Sequence, residues 1–313
     1  MNKREVVLSL LNPDTPTPYI PAAFFLHFDP RDHHGQAAID KHLEFFKYTG
    51  MDLVKIQYEN VFPNRPEIIT PADWEKMPCY GEEFYEDQWH IVEKLVSAAK
   101  KDALVVMTLY SPFMCAEQSI SKELLAQHLL EDRDKTKKGI ETITESLMIF
   151  VKGCIERGID GFYHSTQGGE THRFEASPIF DECIKPYDLA LMDEINIQCD
   201  FNILHVCDYR GEYADFTSYL DYPGHLVSTP LKWGEKNLKL KEVAEIFKRP
   251  VMGRLDRHGI ITKGSKNEIV AAVNAVCDEA PEKFMLGADC TLPSDIDWEN
   301  VKTAIDAAHN YER

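Results

Sequence analysis

Three side chains in this sequence suit a soft metal ion by type and spacing: His205 and Cys207 in ILHVCDY, and Cys290 in LGADCT. Successive side chains of an extended strand alternate faces, so an H-x-C pair presents imidazole and thiol on one side, where they can share an ion. Cys290 at the end of another strand-like run completes a Cys2His set. With zinc, that set leaves the fourth tetrahedral position for water or substrate, the arrangement of a catalytic rather than a structural site.

Ligands so far apart in sequence converge only if the fold gathers strand ends at one place. The chain alternates short apolar runs with longer amphipathic segments. Eight strand-like runs cover residues 18–28, 52–59, 103–110, 158–166, 201–207, 225–232, 250–256 and 284–290. Helical periodicity fills 37–50, 86–101, 138–158, 180–197, 240–248, 265–280 and 297–312, and several of these segments start at Asp or Ser and close at Gly. The rhythm is βα throughout, which predicts a single-domain (β/α)8 TIM barrel over residues 1–313 with its chemistry at the carboxyl ends of the strands. The longest irregular stretch, 60–84, carries four prolines and is expected to be a lid or a substrate-binding insertion.

Composition narrows the functions. The 313 residues carry 34 basic against 52 acidic side chains, a net charge of −18 that repels a phosphate backbone, so nucleic acid is not an expected partner. No apolar run reaches the roughly 18 to 20 residues of a membrane span. The start, MNKREVVLSLLNPDTP, lacks the apolar length and cleavage site of a secretory signal, which predicts a cytoplasmic protein with its eight cysteines largely reduced. Cys154, Cys183, Cys199 and Cys277 fall in helical patterns, where a thiol is ordinarily packing.

Other strand ends offer candidate partners for a substrate. Lys55, Gln57 and Glu59 share one face by alternation, and Glu59 suits general acid/base work or a pairing with Lys55 inside the barrel. Tyr110 closes the third run. The fourth runs into HSTQGGETHR, where Gln167 is a candidate catalytic residue and His164 a candidate substrate contact. In GRLDRHG, Arg254 or Asp256 could read a polar substrate. HFDPRDHHG is rich in His and Asp but has the spacing of a solvated loop, and GEEFYEDQ is an acidic helix start.

The segments GRLDRHGIITKGSKNEI and LGADCTLPSDIDWENVKTAIDAAHNY resemble the uroporphyrinogen decarboxylase superfamily, which includes corrinoid-dependent methyltransferases of the methylcobamide:coenzyme M type. The likeness runs along nearly the whole chain and is strongest in its final third. It implies a (β/α)8 fold. In the methyltransferase branch an H-x-C motif and a distant cysteine bind zinc, matching His205, Cys207 and Cys290. The decarboxylase branch has an R-Q-A-G-R motif after its first strand, but here Leu26 stands where the first arginine belongs and Arg31 is only loosely placed for the second. The decarboxylase aspartate falls near Glu59.

The resemblance therefore implies methyl transfer from a corrinoid, free or on a carrier protein, to a thiol bound at zinc. The alternative is a lyase acting on a tetrapyrrole or other carboxylated substrate, and a third reading is a non-catalytic corrinoid or tetrapyrrole binder that retains the barrel. A homodimer is compatible with the resemblance.

Overall fold

The computed structural model describes residues 2–174 and 178–312. Nine strands occur: β1 (Leu53–Ile56), β2 (Leu104–Tyr110), β3 (Gly161–Thr166), β4 (Ile203–Val206), β5 (Leu226–Ser228), β6 (Lys232–Trp233), β7 (Lys236–Asn237), β8 (Val251–Leu255) and β9 (Phe284–Ala288). Seven form one curled parallel sheet in the order β1-β2-β3-β4-β5-β8-β9, and β6 and β7 form a small antiparallel hairpin. Nearly every residue of the seven is buried, as in a parallel sheet whose two faces are both covered.

The run at 18–28 is extended but is not a regular strand. Ala22 and Leu26 form isolated parallel bridges to Leu286 and Leu292. Leu286 N–H donates to Pro21 O at 2.8 Å and Leu292 N–H to Phe25 O at 2.8 Å, while on the other side Asp52 N–H donates to Ala22 O at 2.9 Å. Pro18 and Pro21 have no N–H to give, so a continuous ladder cannot form over this run. Its residues nonetheless bond both to β9 and to the residue that leads into β1.

The seven predicted helices appear as Gly35–Thr49, Glu82–Ala99, Arg133–Glu156, Lys185–Gln198, Leu240–Phe247, Lys266–Glu279 and Trp298–His309. Gly50 ends the first of these at φ +75°, a left-handed cap that favours glycine. The segment predicted as one helix from 180 is split: a π turn, Phe180–Ile184, precedes Lys185–Gln198, with Pro186 in the first turn, where its missing donor costs nothing. Four short helices carried no periodic signal: Lys3–Ser9, Pro112–Ser119, Lys122–Glu131 and Ile260–Lys263. No helix among the described residues is long and apolar enough to cross a membrane.

Segment 60–84 lies against the outer helices. Trp74 is fully buried, its Nε1 donates to His128 Nδ1 at 3.0 Å, and its indole occupies the space beside Gly139, where a Cβ would fall 2.2 Å from Trp74 Cε3. Arg65 N–H donates to Ser119 O at 2.7 Å and Tyr80 N–H to Ser146 Oγ at 2.6 Å. Only its start reaches the mouth of the sheet, where Val61 is exposed.

Candidate active site and metal centre

His205 lies in β4, Cys207 immediately follows that strand, and Cys290 lies two residues past β9. The curl of the sheet brings them together across β5 and β8: their ligand atoms all lie within 4.8 Å of one another, and the two sulfurs are 3.9 Å apart. Among the described residues this is the single cluster of His, Cys, Asp and Glu so placed for a metal ion.

All three are buried, and each is held by the sequence around it. His205 Nδ1 is 3.2 Å from Ser228 Oγ, at the end of β5, and the Tyr163 ring lies 4.9 Å from the imidazole. Nε2 has no hydrogen-bond partner although it is buried. Gln167 Nε2 donates to Cys207 Sγ at 3.3 Å. A single nitrogen of Arg257, Nη1, donates to Asp208 at 2.8 Å and to Asp289 at 2.9 Å, the residues next to Cys207 and Cys290. The Cys290 thiol bonding to Cys207 holds the Cys207 thiol below its ordinary range, against the effect of burial. The same bond, together with burial, pushes Cys290 up, so the two thiols titrate as a coupled pair.

The cluster lines a cavity of about 560 Å3. Of the candidates named from the sequence, Glu59, Tyr110 and Gln167 line it with the three ligands. Lys55 lines it too, 4.7 Å from the rings of both Phe25 and Tyr163. Burial lowers Lys55 to about 7, opposed by Cys290, Glu59 and Cys207. Lys55 bonds Gln57 rather than Glu59, and Gln57 Nε2 donates to Leu26 O. Glu59 turns instead to two histidines: Oε1 is 2.8 Å from His27 Nδ1 and Oε2 3.7 Å from His33 Nδ1. The Tyr110 hydroxyl is 3.4 Å from His27 Nε2, and burial followed by the charge of Glu59 pushes its phenol well up.

Three candidates lie elsewhere. His164 alternates with Tyr163 and Ser165 and so faces away from the cavity; it is fully buried, both ring nitrogens lack partners, and burial lowers it to about 3, leaving it neutral. Arg254 has φ +97°, directly after Gly253 at +129°. That break in alternation turns its guanidinium outward to Leu238 O at 2.9 Å. Asp256 is exposed and caps the His258 N–H at 2.8 Å. Arg257 and His258 reach the cavity in place of Arg254 and Asp256. His27 was hidden in a stretch that reads as a solvated loop, and its position one residue past Leu26, at the end of an apolar run, was the available signal.

Strand ends that gather a Cys2His set and several acid/base side chains around one cavity define an α/β fold of the kind that carries enzyme sites at its carboxyl edge. The chain belongs to the uroporphyrinogen decarboxylase (URO-D) family, whose profile matches residues 41–311. Its fold is similar to that of a methyltransferase from Methanosarcina mazei, at 14% identity with 98% of each chain covered and a TM-score of 0.77. It is also similar to a B12-independent methionine synthase from Shewanella sp. W3-18-1, solved in complex with selenomethionine, at 11% identity with 93% of each chain covered and a TM-score of 0.54. No curated protein sequence matches the chain.

Proposed function

We propose that this chain is a zinc-dependent methyltransferase that moves a methyl group from a corrinoid carrier to a thiol substrate. The observation that carries this reading is the His205, Cys207 and Cys290 cluster in the wall of a cavity sized for a small molecule. The donor set fits zinc. Two thiolates at Zn–S distances of about 2.3 Å and a tetrahedral angle stand roughly 3.8 Å apart, and the sulfurs here are at 3.9 Å. The unpartnered Nε2 of His205 supplies the third donor, with Ser228 fixing the ring through Nδ1 as metal-bound histidines are usually fixed.

Bound there, zinc would supply a Lewis acid with one open position, at which a thiol loses its proton near neutral pH. The chain's own residues do the rest. Gln167 orients Cys207, Lys55 lies within the electrostatic reach of both sulfurs, and Tyr110 and Glu59 line the same cavity. A corrinoid, free or on a carrier protein, would supply the methyl group and keep the electron pair of the bond that breaks as the substrate sulfur forms its C–S bond. We take residues 18–28 as the eighth stave of a closed (β/α)8 barrel, on the strength of their bonds to both β9 and Asp52. A cytoplasmic setting, in which these thiols stay reduced, belongs to the same reading.

Metal analysis tests it. Purified protein should hold about one equivalent of zinc, lost on Cys290→Ser; stoichiometric zinc surviving replacement of both cysteines would overturn the proposal. The second reading, a lyase of the decarboxylase type, is favoured by family membership. It leaves the cysteines without a role, and Arg257 at the mouth is already engaged by two aspartates. Stepwise carboxylate loss from uroporphyrinogen III would reverse the order.

A further inference from the structure

We infer that His27, oriented by Glu59, is the group that takes the proton from the acceptor substrate, and that Glu59 acts through it as a positioning residue. The inference rests on the thiol reading above. Nδ1 of His27 is 2.8 Å from Glu59 Oε1; since a carboxylate can only accept, Nδ1 carries the hydrogen and Nε2 is left with its lone pair. Nε2 is the atom 3.4 Å from the Tyr110 hydroxyl, and both His27 and Tyr110 line the cavity.

Burial separates the two roles. The His27 side chain is 40% exposed and the Glu59 side chain 10%. Glu59 is covered on both oxygens by His27 and His33, and His33 is in turn fixed by Nε2 at 2.9 Å from Phe28 O. The carboxylate is thus turned to the histidines and the imidazole edge to the cavity. This is the base-and-orienter arrangement in which a carboxylate fixes the tautomer and stabilises the imidazolium that forms.

His27, Tyr110 and Lys55 line the same cavity as Cys207 and Cys290, so a substrate held there meets both the dyad and the three ligands. In the step the substrate S–H bond breaks heterolytically, its electron pair stays on sulfur, and the proton forms the Nε2–H bond of an imidazolium facing Glu59. The other titratable groups around the pair are His33, Tyr110, Lys55 and His42.

The test uses zinc-loaded protein, mercaptoethanol as the probe thiol and methylcobalamin as the donor. His27→Gln should lower the methyl-transfer rate constant about 100-fold or more with zinc content and thiol KM unchanged. Added imidazole should restore part of the rate in His27→Ala but not in Glu59→Gln. As a readout apart from turnover, calorimetry of thiol binding in two buffers of different protonation enthalpy should show His27→Gln releasing up to about one proton more per thiol than the parent protein. Equal proton release and equal rates in parent and His27→Gln overturn the dyad. A proton difference without any methyl transfer overturns the methyltransferase reading and leaves the dyad standing, whereas no thiol binding at all overturns both.

Discussion

The sulfur atoms of Cys207 and Cys290 lie 3.9 Å apart although 83 positions separate them in the chain. Arg257 is the tie between them. By donating from one nitrogen to Asp208 and Asp289, it fastens the backbone beside each cysteine to the other. Arg257→Met should therefore leave the buried Asp289 and the partly buried Asp208 without their shared cation and lower zinc affinity about 10- to 100-fold, the usual cost of removing an outer partner of a metal ligand. Competition with a chelator measures this, and unchanged affinity would show that the strands alone set the spacing.

Gln167 touches the centre from the other side, with its amide nitrogen on Cys207. Gln167→Ala should keep the zinc stoichiometry and slow methyl transfer roughly 10- to 100-fold, through loss of an outer hydrogen bond to the ligand. A parallel measurement of zinc content and rate separates this from collapse of the site.

Asp188 offers a test of stability against pH. Fully buried and bonded by Thr166 and Tyr222, its carboxyl is raised by burial from 3.8 to about 7. The folded state then holds the proton more tightly than the unfolded chain. The stabilisation is complete below the ordinary carboxyl range and is lost as pH rises through about 7. Urea unfolding at acid and at mildly alkaline pH should show the parent protein losing on the order of 3 kcal/mol from this group, with Asp188→Asn losing far less.

Trp74 anchors segment 60–84 in the hollow beside Gly139. Trp74→Ala should cost about 3–5 kcal/mol and open residues 61–80 to limited proteolysis while zinc content holds. If the segment stays protected, the indole is not what seats it.

Much of this site was legible in the sequence because strand periodicity is a local rule. His205 and Cys207 share a face by alternation, and Cys290 ends the last strand-like run, so their meeting needed only the curl of the sheet. The same rule, applied to Tyr163 and Ser165, would have turned His164 away from the cavity. Arg254 escaped the rule because two successive residues with positive φ break the alternation in β8. The pairing of Glu59 with His27 was not readable, since it joins the ends of two neighbouring segments whose register no local rule sets, and charge pairing with nearby Lys55 was the simpler local guess. The run at 18–28 looked like a strand because its apolar pattern is one, while its prolines remove the donors that a ladder requires.

The proposed metal centre draws its ligands from the fourth strand, from the residue after it and from just beyond the ninth, so it is complete only when both ends of the sheet are in place. A chain that has formed β1 to β5 possesses His205 and Cys207 but lacks the third donor until β9 docks beside β8. Capture of an ion by all three donors during refolding would then report that β9 has joined the sheet that carries β4.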